Sequence, residues 1–279
     1  MARLRTLFTI GSKRSGTSLL VRLLNLEEKV FISHESDIAW ILYQCRNGLP
    51  DGFRCFPWDG PLGMKATLDS AKQIWDLPKD HAPSREDLIA AFFDIQQHLM
   101  RHGSAVQPKM DKQEILWIGD KKPSQQCDPE VRSFIAWLFP DARYFHMVRH
   151  PGTVLASMQA AARSWNTVPE YWKSGTRTIL DRWLAHEEQA LIAKKELGSA
   201  VLTVRYEDLL LAPVEQMQKC FGHLQIAMAE DLRSNIANMV VNNNLNKKIS
   251  ISDEFHDPKL EYMMDLYGYD FDGIVRDLN

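Results

Sequence analysis

Apolar positions along this chain follow two rhythms. Short unbroken runs rich in β-formers occur at Leu7–Ile10, Val30–Ser33, Ile115–Ile118, Tyr144–Val148 and Val201–Val204. Such runs suit strands covered on both faces, as in a parallel sheet. Between them apolar residues recur every three or four positions, the stripe of an amphipathic helix. The best stretches are Thr17–Leu26, Arg85–Met100, Pro129–Leu138, Gly152–Ala162, Ile179–Leu197 and Pro213–Leu224. Strand and helix alternate, so the pattern predicts an α/β fold, a P-loop-like parallel sheet with helices on both faces. No internal repeat or low-complexity linker divides the chain, and a single domain over residues 1–279 is expected.

Cys45–Ser84 breaks the rhythm. It combines Gly48, Pro50, Gly52, Pro57, Gly60, Pro61, Gly63 and Pro78 with Phe53, Phe56, Trp58 and Trp75. A turn-rich aromatic insertion between sheet elements reads as a substrate wall, or as a surface loop with a small cluster of its own. Trp165, Trp172 and Trp183 lie in or beside helical stretches and read as packing residues. Met263, Met264, Tyr267 and Tyr269 are expected to close a terminal helix onto the domain.

The net charge of −3 gives no footprint for bulk nucleic-acid binding, so any anion site must be a local basic pocket. The four cysteines form no CxxC pair and read as reduced thiols. The apolar run near Arg3 and Arg5 is too short for a signal segment or a membrane span, so a cytoplasmic protein is expected.

The chemistry begins at Gly11-Ser12-Lys13-Arg14-Ser15-Gly16-Thr17-Ser18. A glycine-bounded loop between an apolar run and a helical stretch is the setting of a phosphate cradle, where backbone N–H groups and the helix N-terminus receive an anion. Nucleoside triphosphatases place a lysine where Thr17 stands. Here the positive charge lies inside the loop, at Lys13 and Arg14, and the lysine that reaches a γ-phosphate beside Mg²⁺ is missing. A second anion signal is His146-Met147-Val148-Arg149-His150-Pro151-Gly152, followed by Ser157. A strand delivers Arg149 to its C-terminal end, Pro151 opens a helix, and Ser157 follows in its first turns. An arginine fork and a hydroxyl at a helix start make a phosphate clamp. Ligands of open α/β sheets gather at the carboxyl ends of strands, where both motifs lie.

These motifs resemble those of sulfotransferases that use 3′-phosphoadenosine 5′-phosphosulfate. The resemblance assigns the loop Lys13–Ser18, with its core Arg14-Ser15-Gly16-Thr17-Ser18, to the 5′-phosphosulfate, and Arg149 with Ser157 to the 3′-phosphate. A third similar signature, Val204-Arg205-Tyr206-Glu207-Asp208-Leu209 followed by Ala212-Pro213, puts Tyr206 near the nucleotide. Two further features resemble the tyrosylprotein and related bacterial branch. Glu35 stands twenty-one positions beyond Arg14, where that branch has its catalytic glutamate, and Gly119-Asp120-Lys121-Lys122-Pro123 is similar to its Gly-Asp-Lys-Thr-Pro motif. The resemblance implies a lysine facing the transferring group; Lys121 is the match, with Lys122 in place of the usual threonine.

Sulfuryl transfer by in-line displacement needs cations on the bridging and leaving oxygens, and Arg14 and Lys121 are the candidates. A hydroxyl acceptor must also lose a proton. Glu35 is the candidate base if burial raises its pKa toward the working pH; His34, whose ordinary pKa already suits the task, is the alternative. Neighbours on a strand face opposite ways, so one of the two is expected in the site. No metal is expected, because the His, Cys and Asp residues show no ligand spacing. The basic segment Asn242–Lys248 is a candidate cover over the nucleotide, through Lys247 and Lys248, or a solvated loop. The acceptor is open: a lipid, sugar, small metabolite or peptide hydroxyl. Two rival readings remain at this level, a small-molecule kinase with a degenerate P-loop and a catalytically silent nucleotide-binding protein.

Overall fold

A computed structural model describes residues 4–48, 53–56, 67–69, 82–104, 107–165, 168–240 and 249–273. Most of the Cys45–Ser84 insertion, and Lys247 and Lys248, lie outside the described residues. The chain folds into two compact units. One joins Met1–Ile10 to Leu24–Tyr144; the other joins Gly11–Leu23 to Phe145–Asn279. The strands are β1 (Arg5–Ile10), β2 (Val30–His34), β3 (Trp117–Lys121), β4 (Arg143–Val148) and β5 (Val201–Arg205), in the sheet order β2-β3-β1-β4-β5. The α/β fold with a parallel sheet is therefore the one read from the alternation.

In the first unit β3 runs parallel to both β2 and β1, with Val30 opposite Trp117, His34 opposite Lys121 and Phe8 opposite Asp120. The apolar run had placed this strand at Ile115–Ile118. The ladder instead continues through Gly119, Asp120 and Lys121, all buried. Polar residues can end a buried strand when each finds a partner, and here they do. Asp120 accepts from Ser36 Oγ and, at 3.0 Å, from Gln126 Nε2. The helices of this unit are α2 (Ile38–Asn47), α3 (Arg85–His102), α4 (Pro123–Gln126) and α5 (Pro129–Leu138). Helix α3 starts where its chemistry dictates: Ser84 Oγ accepts from Asp87 N at 3.1 Å while Asp87 Oδ2 accepts from Ser84 N at 3.1 Å, a reciprocal cap.

The second unit takes most of α1 (Thr17–Leu24), then α6 (Pro151–Ser164), α7 (Thr176–Leu197), α8 (Tyr206–Leu211), α9 (Pro213–His223), α10 (Glu230–Met239) and α11 (Pro258–Leu266). Trp183 and Trp172 are buried in a core with Val154, Met158, Met263 and Met264, and Tyr267 and Tyr269 join it, so the terminal helix α11 does close onto this unit. Trp165 departs from the expectation of a packing residue. It follows the end of α6 and is 51% exposed.

Candidate active site

In the second unit the loop after β1 and the start of α6 meet in one cluster. Arg14 has φ 65, a left-handed conformation that a side-chain-bearing residue adopts only when its surroundings hold it there. Two hydrogen bonds do so. Arg149 Nη1 donates to the Arg14 carbonyl at 3.1 Å, and Arg14 Nε donates to Ser157 Oγ at 3.0 Å. The Arg149 guanidinium stacks 4.3 Å over the Tyr206 ring, and its carbonyl accepts from Trp183 Nε1 at 3.0 Å. Arg149 and Tyr206, distant in sequence, are thus held in register with the loop.

Tyr206 also explains the second loop glycine. Gly16 has φ +97, and a Cβ there would run into Tyr206 Cδ2 and come within 2.7 Å of Cε2. Only glycine lets the loop lie on the ring. At the loop entrance Gly11 has φ +122, and its Cβ would meet the Met147 carbonyl oxygen at 2.7 Å. Around the cradle Ser15 and Thr17 are buried, Lys13 is half-buried and Ser18 is exposed. Burial, reinforced by the nearby charge of Lys13, pushes His186 on α7 down to about 4, so this half-buried ring is neutral near pH 7.

The remainder of the third signature is structural. Glu207 Oε1 accepts from His150 N at 3.1 Å and its other oxygen from Tyr269 Oη at 2.7 Å. Arg205 Nε donates to Asp208 at 2.9 Å, and its Nη1 to the Tyr267 carbonyl at 3.0 Å. Glu207 and Arg205 therefore tie the end of the chain to the Arg149 strand end and leave Tyr206 on the loop.

The first unit holds a separate cluster of charges. Glu35 lies one residue past β2 and Asp37 just before α2, with φ 55 and 56. Glu35 pairs with Lys121, and its Oε2 lies 3.2 Å from Lys122 Nζ. Lys122 also holds Asp37 at 2.9 Å, and Asp37 Oδ1 accepts from Gln125 Nε2 at 2.7 Å. Lys121, Lys122 and Asp37 are buried, while the Glu35 side chain is 31% exposed. Both consecutive lysines therefore face Glu35, and Asp37 is a buried partner that the sequence did not single out.

This arrangement corrects the condition set on Glu35. Burial acts to raise its pKa, but the charges of Lys121 and Lys122 outweigh it and hold the carboxyl far below the usual carboxylate range. Its neighbours behave differently. Burial raises Asp37 in spite of Lys122, and it pushes Asp120 up to about 6. Burial would lower Lys122, but Asp37 and Glu35 outweigh it and raise its pKa. The alternation argument between His34 and Glu35 also fails. His34 is the last residue of β2, and the left-handed turn at Glu35 removes the next side chain from the strand's two faces.

A model of the sulfotransferase family matches residues 6–230, and that stretch contains both clusters. The chain belongs to the sulfotransferase family. As a sulfotransferase it moves sulfuryl groups, and the fold is shared with solved relatives of low identity. The sulfotransferase domain from the curacin biosynthetic pathway is 17% identical, with 97% of this chain and 100% of that chain covered and a TM-score of 0.57. The sulfotransferase domain of the Synechococcus PCC 7002 olefin synthase is 18% identical, covering 97% of each chain, with a TM-score of 0.59. Sulfotransferase STF9 from Mycobacterium avium is 14% identical, with 97% of this chain and 79% of that chain covered and a TM-score of 0.59. No curated protein matches the chain. Among the described residues of this sulfotransferase, no helix is long and apolar enough to cross a membrane.

Proposed function

We propose that this sulfotransferase takes its sulfuryl group from 3′-phosphoadenosine 5′-phosphosulfate and delivers it to a hydroxyl acceptor. The observation that supports this most directly is the cluster of Arg149, Ser157, Tyr206 and the Gly16 loop in the second unit. Two buried polar atoms of that cluster, Arg149 Nε and Ser15 Oγ, have no hydrogen-bond partner among the described residues. Buried donors without partners are costly unless a ligand engages them, and phosphate oxygens are suitable acceptors for both. In this reading the loop Lys13–Ser18 and the start of α1 hold the 5′ end, Arg149 and Ser157 hold the 3′-phosphate, and Tyr206 lies by the nucleotide. The sequence signatures carry the assignment of the nucleotide; the geometry fits it.

The reaction is a displacement at sulfur. The acceptor oxygen forms a bond to sulfur as the bond from sulfur to the bridging oxygen breaks, and the acceptor's proton must leave. The reading gives Lys121 the growing charge on the bridging oxygen and Glu35 the proton. Glu35 is a poor base for a neutral hydroxyl while two lysine charges hold it, so its proton transfer belongs late, when bonding to sulfur has made the hydroxyl acidic. Any anion that draws Lys121's charge away raises the basicity of Glu35. Acceptor class stays as broad as the sequence left it: lipid, sugar, metabolite or peptide. The four cysteines are free thiols, in keeping with a reducing, cytoplasmic setting.

The test is calorimetric titration with 3′-phosphoadenosine 5′-phosphate and with ATP, with and without Mg²⁺, on the wild type and Arg149→Ala. Metal-independent binding at micromolar affinity or tighter is expected, weakened at least about tenfold in the variant, or about 1.4 kcal/mol. Absence of bisphosphate binding, or a preference for Mg²⁺–ATP, would overturn the reading in favour of a kinase.

A further inference from the structure

The stretch Gly119-Asp120-Lys121-Lys122-Pro123 has a second lysine where the motif it resembles has threonine, and the structure gives that lysine a defined place. Lys122 Nζ donates to Asp37 Oδ2 at 2.9 Å and lies 3.2 Å from Glu35 Oε2. Asp37 is held in turn by Gln125 Nε2 at 2.7 Å. The backbone of Lys122 is fixed as well, since its carbonyl accepts from Gln126 N at 2.9 Å at the start of α4. Lys121 engages the other carboxylate oxygen, Oε1. Glu35 is thus gripped by one lysine on each oxygen. Lys121, Lys122 and Asp37 are buried, and Glu35 is the member of the four that reaches solvent.

We infer that Lys122 is a positioning residue for Glu35: anchored on Asp37, it holds one carboxylate oxygen in place while Lys121 turns to the bridging oxygen of the donor. This role presupposes the donor reading given above, in which Lys121 serves the donor and Glu35 the acceptor. A carboxylate shielded from water that loses its counter-ion takes up a proton, and a protonated Glu35 cannot receive the acceptor's proton. A lysine stem is flexible, and its ammonium is readily drawn to a new anion. Two carboxylates and a helix start keep Lys122 from following Lys121. The consecutive lysines therefore divide the work, one for the donor and one for the base. The other charged neighbours of Glu35 are His34, which also lowers its pKa, and the acids Asp37 and Asp120.

The experiment follows the Glu35 carboxyl by carboxyl-carbon NMR during pH titration, its resonance identified by loss in Glu35→Gln. It compares the wild type, Lys121→Met and the double variant Lys122→Met with Asp37→Leu, which removes the buried pair together and so keeps the fold. Each is titrated alone and saturated with 3′-phosphoadenosine 5′-phosphate, whose 5′-phosphate offers the oxygen that bridges to sulfur in the donor. Lys121→Met leaves Lys122 on Glu35 and should keep the midpoint below about 5, near the ordinary glutamate value of about 4.3. In the double variant the bisphosphate should raise the midpoint by at least about one pH unit, and in the wild type by much less. A lysine with a merely structural role would change stability and leave these midpoints alone. A midpoint at or above about 5 in Lys121→Met without ligand would overturn the inference and leave the donor reading standing. Equal movement of Glu35 by the bisphosphate in the wild type and the double variant would also overturn the inference alone. Absence of bisphosphate binding, or a bound bisphosphate that moves Glu35 in neither protein, would show that Lys121 does not turn to the donor; the donor reading of Lys121 then fails and the inference falls with it.

Discussion

Replacing Gly16 by alanine perturbs one atom in the proposed nucleotide cradle and two energies at once. The first is conformational: at φ +97 a residue with a Cβ sits in a region that costs about 1–2 kcal/mol for an L-amino acid. The second is steric. The new methyl would meet Cδ2 and Cε2 of a Tyr206 ring that is 8% exposed and held by the Arg149 guanidinium, so it cannot swing aside freely. Overpacking of this kind costs about 1–3 kcal/mol. The sum, about 2–5 kcal/mol, is a large share of the stability of an ordinary domain. Urea unfolding of the wild type, Gly16→Ala, Tyr206→Ala and the double variant measures it. Removing the ring abolishes the steric part and leaves the backbone part, so the cycle should show a coupling of about 1–3 kcal/mol. The single variant should also bind 3′-phosphoadenosine 5′-phosphate less tightly, because a displaced Tyr206 moves Arg149. Gly16→Ala within about 0.5 kcal/mol of the wild type, or strict additivity in the cycle, would refute the reasoning.

Two further predictions concern the first unit. Asp120 is fully buried and its pKa in the folded protein is raised to about 6, so the folded state binds its proton more tightly than the unfolded chain does. The stability this proton supplies is present at low pH and is lost as pH rises through about 6. Relative to Asp120→Asn, the wild type should lose about 2 kcal/mol between pH 4.5 and pH 7 in urea titrations; a difference independent of pH would show that the buried carboxyl is not raised. Glu35 has the opposite sign, since its lowered pKa adds stability above the ordinary glutamate range that disappears on acidification. For the buried pair, Lys122→Met should cost about 3–5 kcal/mol because it leaves Asp37 charged and without its counter-ion, whereas Lys122→Met with Asp37→Leu should recover most of that. Equal destabilisation of the single and double variants in thermal melts would contradict this.

Much of the architecture was legible because its signals are local. The apolar runs of β1, β2, β4 and β5 each lie inside the observed strand, and Pro129–Leu138 is the observed helix. The end of strand β3 escaped because three of its five residues are Gly119, Asp120 and Lys121, and the burial of the two charged ones depends on partners contributed by Ser36, Gln126 and Glu35. Trp165 escaped for a related reason. Position beside an amphipathic helix marks a tryptophan for the core, and nothing nearby in the sequence announces an arginine from a loop about 150 residues earlier as its companion.

The sequence by itself determined the alternation of strand and helix, the glycine-bounded loop and the eight-residue spacing from Arg149 to Ser157, because periodicity, turn chemistry and short spacings act over a few residues of chain. Tertiary structure alone decided the states of those groups. Lys121 reaches Glu35 only because β2 and β3 run parallel with His34 opposite Lys121. Arg14 reaches Ser157 only through a left-handed turn. Ionisation and side-chain direction depend on which charges are brought within a few ångströms, and that distance is set by strand register and backbone dihedrals rather than by position along the chain.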